Sequence, residues 1–173
     1  MSKILNTQLT GIFNKIENQA LDIQMAAQCI IQATGSKGKV YIKGYGDLKF
    51  YESFVLNSDE KLYSSFLLDN LISYNVIDTT DRVLLFSPFY TTEVAKDVQQ
   101  LINLDVDFVL ICNKPKQDDF PEHLMHYVNL STPRPIVYTE DYDKIVQPHP
   151  MAFNYIYYAI YTQMVEMTRD LDL

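Results

Sequence analysis

One segment constrains the fold of this chain more than any other: residues 82–113, RVLLFSPFYTTEVAKDVQQLINLDVDFVLICN. The apolar runs 82–87 and 105–113 are typical of buried strands, and the residues between them have the apolar spacing of a helix. Strands joined by a crossover of this length run parallel to each other. The segment therefore predicts a βαβ unit in a parallel sheet that helices cover.

A second strand-turn-helix pattern precedes this unit. KVYIKG, residues 39–44, is a β-rich run that ends in glycine, and after the turn GYGD the residues 48–56 indicate a short helix. A lone GxG is common, so the order of strand, turn and helix is the stronger evidence. Residues 61–68 fit either a strand or a helix, and 126–130 and 135–140 are candidates for further short strands.

Long helices are predicted at both ends of the chain. Residues 4–33 keep a helical apolar period over many turns, and residues 151–169 form a second helix that is apolar on nearly all sides near its start. Such a helix is either buried or packed on another subunit. Its apolar positions are Phe153, Tyr155, Ile156, Tyr157, Tyr158, Ile160 and Tyr161. No linker or repeat interrupts the chain, so we expect a single domain over residues 1–173. The length of the first helix and the apolar surface of the last one favour assembly as a homodimer or a higher homo-oligomer.

Composition narrows the classes of partner. The chain has 173 residues, 47% of them hydrophobic, and contains neither an apolar run of membrane-span length nor a signal-peptide pattern, which predicts a soluble cytoplasmic protein. Its net charge is −8 and its Lys and Arg residues are scattered, so nucleic acid and anionic membranes are not expected partners.

Cys29 and Cys112 are expected to be buried thiols. No CxxC or HExxH motif indicates a metal, and no cofactor is expected.

The order of elements resembles that of the sugar isomerase (SIS) domain, including phosphoheptose isomerase, and that of an uncharacterised bacterial family of SIS-like proteins. The resemblance covers almost the whole chain. It implies an α/β three-layer sandwich of the flavodoxin or Rossmann type, with a mainly parallel sheet. SIS domains commonly pair, which also favours a homodimer.

Two turns carry this resemblance in altered form. SIS domains have a G-x-G-x-S type turn after the first strand; GYGDL, residues 44–48, keeps Gly44 and Gly46 but has leucine in place of the serine. A second SIS motif, similar to I-S-x-S-G-x-S/T, binds phosphate at a helix start. FSPFYTT, residues 86–92, keeps Ser87 and Thr92 as its first and last hydroxyls. The resemblance therefore implies a phosphate-binding site that has lost part of its donor set.

The changes in the second turn have physical consequences. Pro88 has no N–H to donate, and Phe89 and a tyrosine stand where the SIS motif has serine and glycine. Glu93 places a carboxylate at the helix start, where it stabilises the helix and repels a phosphate. Two interpretations stay open. Either Thr91 only caps the helix, or a modified pocket still uses Ser87, Thr91 and Thr92.

Catalytic residues are less visible. Aldose–ketose isomerisation needs a base and an acid near the carbonyl, and phosphoheptose-isomerase-like enzymes take part of this from a Q-E-x-H segment before the last helix. The corresponding segment is QPHP, residues 147–150, in which Gln147 matches and His149 lies one position early. His149 is the one candidate catalytic residue. The alternative is that this segment is only a proline-rich start of the helix.

Three functional hypotheses follow. The first is a protein of SIS type that binds a phosphosugar, a sugar nucleotide or a related small anion without efficient isomerase activity. The second is an active phosphosugar isomerase that uses His149. The third is a non-catalytic assembly protein on the same scaffold. In the first two, the binding residues are expected at the carboxyl ends of the parallel strands; they are Gly44, Gly46, Ser87, Thr91 and Thr92.

Overall fold

The computed structural model describes residues 2–69, 73–116, 120–121, 124 and 126–171. Its centre is a five-stranded sheet in which every neighbouring pair of strands is parallel, in the order β2-β1-β3-β4-β5. The strands are β1 (Val40–Gly44), β2 (Ser65–Leu67), β3 (Arg82–Phe86), β4 (Phe108–Cys112) and β5 (Tyr127–Asn129). The predicted α/β class with a parallel sheet is confirmed.

Helices cover both faces of this sheet. They are α1 (Ser2–Glu17), α2 (Ala20–Thr34), α3 (Tyr51–Asn57), α4 (Ser73–Val76), α5 (Thr92–Asn103) and α6 (His149–Asp170). The side chains of α2, α3 and α6 share one hydrophobic core with one face of the sheet, whereas α5 packs in a separate core on the opposite face. The result is the three-layer sandwich that the sequence predicts.

Strands β1 and β3 lie side by side and end together. Val40 pairs with Arg82 at one end of the register and Gly44 pairs with Phe86 at the other. The helix after β1 covers one face of the sheet, and the helix after β3 covers the other face. The connections therefore diverge between these two strands, and a crevice at their carboxyl ends is the usual ligand position in such sheets. The prediction that these strands are parallel in one sheet is confirmed.

The N-terminal segment differs from the prediction. Residues 4–33 do not form one helix, because the chain turns at Asn18 and Gln19 between α1 and α2. The Gln19 side-chain amide donates to the Asn129 carbonyl and accepts from the Asn129 N–H, both at 2.8 Å. One side chain thus satisfies both backbone groups of an edge-strand residue, and this contact fixes the turn.

Before the turn, α1 packs on α6 of the same chain. The rings of Phe13 and Tyr155 stack with centroids 4.7 Å apart, and the Tyr155 hydroxyl donates to Glu17 at 2.8 Å. On α6, most of the predicted apolar positions face the core: Phe153, Ile156, Tyr157 and Ile160 are buried. Tyr158 is 42% exposed and is the aromatic residue of this helix that faces solvent most.

The ambiguous and minor elements are also resolved. Residues 61–68 contain the short edge strand β2, and 126–130 contain β5. Residues 135–140 form β6 (Val137–Tyr138), which pairs antiparallel with β7 (Lys144–Ile145) outside the main sheet. Among the described residues, no helix has the length and apolar content needed to cross a membrane.

Both cysteines are free and buried, as predicted. Cys29 lies on α2 and Cys112 at the end of β4, in the cores on opposite faces of the sheet. Burial raises the pKa of each thiol to about 12. Because the thiolate is the reactive form, both cysteines are structural.

Candidate functional site

The structure brings the two predicted turns together at the carboxyl ends of β1 and β3. Gly46 has a φ of +52°, and a side chain built on it would lie 3.6 Å from the Pro88 ring. Gly44 has no room for a side chain, because a Cβ would lie 2.6 Å from the Phe86 ring and 2.9 Å from the Lys49 backbone. Glycine is therefore required at both positions, by close packing at Gly44 and by the left-handed backbone at Gly46.

The hydroxyl of Ser87 is used inside its own turn. Ser87 is 1% exposed, and its side chain donates to the Phe89 carbonyl at 2.6 Å. Its backbone N–H donates to Ile111 of the neighbouring strand at 2.9 Å. Both of its donors are therefore engaged, and Ser87 shapes the loop rather than presenting a hydroxyl to solvent.

Thr91 and Thr92 begin α5 and differ in their roles. Thr91 is the N-cap residue, and its hydroxyl accepts the Val94 N–H at 3.3 Å. Thr92 is exposed in the first turn of the helix. The first N–H groups of a helix have no acceptor within the helix. The Thr92 hydroxyl and the nearby N–H groups are thus the donors that this turn can offer to an anion.

The charge at the start of α5 is balanced by a lysine from β1. Glu93 is exposed, and one of its oxygens lies 3.6 Å from the Lys43 ammonium. The same ammonium lies 2.8 Å from an oxygen of the buried Asp97, about one turn further along α5. Glu93 was expected to repel a phosphate, and this lysine offsets part of that repulsion.

Two tyrosines complete the surroundings of Asp97. The Tyr45 hydroxyl donates to one carboxylate oxygen at 2.5 Å and the Tyr74 hydroxyl to the other at 2.8 Å. Burial alone raises the pKa of Asp97, but hydrogen bonds from Lys43, Tyr45 and Tyr74 outweigh it and lower the pKa below its usual value. Asp97 is therefore a buried carboxylate that ties α5 to β1 and to α4.

His149 lies behind the second turn at the start of α6. It is 1% exposed, and its Nδ1 atom is 2.7 Å from the Thr132 hydroxyl. The ring of Phe89 meets the imidazole edge-on, with centroids 5.3 Å apart. The structure thus places the candidate catalytic histidine next to the turn, but it covers the imidazole with the phenylalanine that stands where the SIS motif has serine.

A buried network connects His149 to the turn. The side-chain amide of Asn113 donates to the Pro88 carbonyl at 2.7 Å, and its oxygen accepts the Thr132 N–H at 2.7 Å. Thr132 in turn contacts His149. Sequence reasoning did not identify Asn113 and Thr132. The available signal was that Asn113 is a polar residue at the end of a buried strand, next to the strand of Ser87.

Burial decides the protonation of His149. Desolvation lowers the pKa of this histidine, and the charge of Asp47, in the first turn, raises it by a smaller amount. The imidazole is therefore neutral at pH 7. Within the described part of the chain, no cluster of three His, Cys, Asp or Glu side chains could hold a metal ion.

Comparisons with known proteins agree with this architecture. The family model described as "Domain of unknown function (DUF2529)" matches residues 1–168. The uncharacterised protein YwjG of Bacillus subtilis (strain 168) is 27% identical over 177 residues, which cover 98% of this chain and 99% of YwjG. The family match and this relative therefore extend over nearly the whole chain.

Solved structures show the same fold. A Bacteroides fragilis protein assigned as a phosphosugar isomerase involved in capsule formation superposes with a TM-score of 0.65 at 15% identity, over 95% of this chain and 92% of that one. A Listeria monocytogenes protein assigned as a sugar-phosphate isomerase gives 0.56 at 12% identity, over 98% and 90%. The sugar isomerase domain of an RpiR transcription factor from Sphaerobacter thermophilus gives 0.56 at 14% identity, over 96% of each chain. The chain has an SIS-like fold.

Proposed function

This chain belongs to the family described as domain of unknown function DUF2529, and from that premise and its SIS-like fold we propose that it binds a small phosphorylated sugar, a sugar nucleotide or a related anion without efficient isomerase activity. The structural neighbours include proteins assigned as sugar-phosphate isomerases. Their low identity to this chain supports a shared scaffold, and the site residues themselves must support the ligand.

The observation that carries the proposal is the meeting of two turns where the sheet connections diverge. Gly46 lies against Pro88, so the turn after β1 and the turn after β3 meet at the carboxyl ends of these strands. The start of α5 opens onto the second turn. This position in a parallel sheet, next to a helix N-terminus, is where such folds usually bind a ligand that carries a phosphate.

The residues of the site have different proposed roles. The Thr92 hydroxyl and the first N–H groups of α5 contact the anion, together with backbone near Gly46. Gly44 permits the close packing that sets the position of the first turn. Ser87 and Thr91 hold the second turn through their own hydrogen bonds. All five predicted binding residues thus belong to the proposed site, but only Thr92 and the backbone near Gly46 contact the ligand directly.

The surroundings of His149 argue against efficient isomerisation. A general base must come within hydrogen-bond distance of the proton that it removes. His149 is 1% exposed, lies against Phe89, and contacts Thr132 through Nδ1. An active isomerase is the second candidate function, and the neutral imidazole favours it, since a neutral histidine can accept a proton. That function requires Phe89 to move away from the ring.

Calorimetric titration with a panel of ligands tests the proposal. The panel contains fructose 6-phosphate, sedoheptulose 7-phosphate, a UDP-sugar and inorganic phosphate. We expect at least one saturable ligand, and we expect Thr92→Ala to weaken it by about tenfold or more, because a hydrogen bond to a charged group is lost. Thr10→Ala, a change of an exposed threonine on α1, is the matched control.

Two results would contradict the proposal. Binding that is equally strong in the Thr92→Ala and Thr10→Ala variants, both folded, would place the ligand elsewhere. Rapid conversion of a sugar phosphate, followed by NMR and abolished by His149→Ala, would make the protein an isomerase. Binding with no turnover is the result that supports it.

A further inference from the structure

A groove lies near the amino ends of the strands, whereas the proposed phosphate site lies at their carboxyl ends. It has a volume of about 400 Å³ and is formed by the end of α2, the segment before β2 and the last turns of α6. The end of α2 and the segment 61–63 lead into the amino ends of β1 and β2. Small-molecule sites commonly measure about 300–1,000 Å³, so the groove is large enough for a ligand of its own.

The floor and walls of the groove are mainly apolar. Leu62 and Met164 form its buried part, at 2% and 8% exposure. Val165 is half-buried, and the ring of Tyr63 is 69% exposed at the rim. A ligand with an apolar body would cover these side chains and remove their surface from water.

The charges at the groove have one sign. Among its described lining residues, Lys61 and Arg169 are the charged ones, although the whole chain has a net charge of −8. Within the described part of the chain, neither of them lies within 4.0 Å of a carboxylate. The Lys61 ammonium lies 5.9 Å from the centroid of the Tyr63 ring.

Some carbonyls at the neighbouring helix ends already have backbone partners. At the end of α2, the carbonyl of Ile31 accepts the Gly35 N–H, and the carbonyl of Ala33 accepts the Ser36 N–H. At the end of α6, the N–H of Leu171 donates to the carbonyl of Met167. These three carbonyls therefore do not need Lys61 or Arg169 as a partner.

We propose that this groove, defined by Lys61–Tyr63 and the last turns of α6, binds a small carboxylate with an apolar body. The apolar part lies against Leu62, Met164 and Val165. The carboxylate pairs with Lys61 and Arg169 at the rim, where charge complementarity orients the ligand. This site is separate from the phosphate site and does not depend on it.

Titration of the protein with decanoate tests the proposal, with calorimetry and NMR shifts as readouts. Decylammonium has the same apolar body and the opposite charge, and acetate has the same charge without the body. We expect saturable binding of decanoate, at least tenfold weaker binding of decylammonium, and no saturation with acetate. Resonances of Val165 and Met164 should shift, while those of Thr92 should not.

Charge-removing variants locate the contact. The double variant Lys61→Gln and Arg169→Gln should weaken decanoate binding by about tenfold or more, because both charged partners are lost. Lys144→Gln is the matched control, since Lys144 also lies over an exposed tyrosine ring, at 5.3 Å from the centroid of Tyr138. Both cations of the groove are exposed, so these changes should leave the unfolding midpoint unchanged.

Three outcomes would overturn the proposal. The first is no saturable decanoate binding at millimolar concentration. The second is equal binding of decanoate and decylammonium, or equal loss in the double variant and in Lys144→Gln. The third is a dimer that Val165→Asp splits into folded monomers, because a second copy of the chain would then be the occupant. Failure of the phosphate-site experiment would leave all of these readouts unaffected.

Discussion

The ammonium group of Lys43 lies 2.8 Å from a carboxylate oxygen of Asp97, and the two side chains are only 10% and 3% exposed. This pair joins the end of β1 to the middle of α5, the helix whose first turn forms part of the proposed phosphate site. A buried ion pair is not in itself strong evidence for stability, but the loss of one partner is costly. The pair therefore holds the site in place.

Asp97→Asn should strongly destabilise the protein. The variant removes the carboxylate 2.8 Å from the buried Lys43 ammonium and leaves the exposed Glu93 at 3.6 Å, so we expect the free energy of unfolding to fall by about 3 kcal/mol, at the lower end of the range for a broken buried pair. Asp107→Asn is the control, because Asp107 is 56% exposed and lies 3.7 Å from Arg82; its loss should cost less than about 1 kcal/mol. Urea unfolding measures both losses. Equal losses would show that the buried Lys43–Asp97 pair contributes no more to stability than the exposed pair.

The contribution of Asp97 to the free energy of unfolding should decrease as the pH falls. The pKa of Asp97 is lowered in the folded state, so near pH 4 the unfolded chain binds more protons than the folded one, and stability rises with pH there. The difference between the wild type and Asp97→Asn should be constant from pH 7 to about pH 5 and shrink as pH falls below about 4. Unfolding midpoints at several pH values test this, and a difference that widens in acid would refute it.

The parallel core was predictable because its evidence is local. Residues 82–113 contain two apolar strands and an amphipathic helix, and the structure has β3, α5 and β4 there. A helix cap was one of the two interpretations of Thr91, and its hydroxyl accepts the Val94 N–H. In each case the deciding residues lie close together in the sequence.

The break between α1 and α2 was not predictable in the same way. The apolar period continues through residues 4–33, and neither glycine nor proline marks the turn. The residue that fixes it, Gln19, bonds to Asn129, 110 positions along the chain. A contact of that separation leaves no trace in helical periodicity.

Gln19→Ala tests the importance of this contact. The change leaves the N–H of Asn129 without its side-chain acceptor, while the carbonyl keeps the Ser131 hydroxyl at 3.2 Å, so we expect a loss of about 1–3 kcal/mol in the free energy of unfolding. Gln28→Ala, an exposed position on α2, should change stability by less than about 0.5 kcal/mol. If the two variants were equally stable, the turn would be held by packing and not by the Gln19 amide.

The candidate site was predictable only in part. The sequence indicates the two turns, because strand-turn-helix order places them at the same edge of the sheet. It does not show that Ser87 bonds to Phe89, or that Asn113 and Thr132 link Pro88 to His149. Those contacts depend on loops whose conformations periodicity does not specify.

NMR titration of His149 tests its surroundings. Burial lowers its pKa and Asp47 raises it, so the ring should titrate below the usual value of about 6.5. Asp47→Asn should lower the pKa of His149 further, because a nearby negative charge is removed. Asp143→Asn, at an exposed position near β7, should leave it unchanged. A pKa above 6.5, or an upward shift in Asp47→Asn, would mean that the imidazole is not buried as described.

The expected homodimer remains a proposal, and the structure changes which residues would form it. Tyr157 is fully buried, and its hydroxyl donates to the Glu60 carbonyl. Tyr157→Asp would therefore unfold the chain rather than separate two subunits. Exposed aromatic surface lies nearby: Phe50 is 63% and Tyr158 is 42% exposed. Two half-buried rings lie between them. The Tyr51 ring is 4.5 Å from the Phe50 ring and the Phe54 ring is 6.1 Å from the Tyr158 ring, measured between centroids.

Tyr158→Asp is the better test of assembly. If a twofold interface covers Phe50 and Tyr158, the wild type should have twice the 20.1 kDa mass of the chain by light scattering, and the variant should have the single mass at the same concentration. Desolvating a carboxylate in such an interface is unfavourable, whereas the same residue is tolerated in a monomer because Tyr158 faces solvent. Tyr138→Asp, at another exposed tyrosine, should leave the mass unchanged. A wild type of 20.1 kDa would refute the dimer, and a dimer unaffected by Tyr158→Asp would place its interface elsewhere.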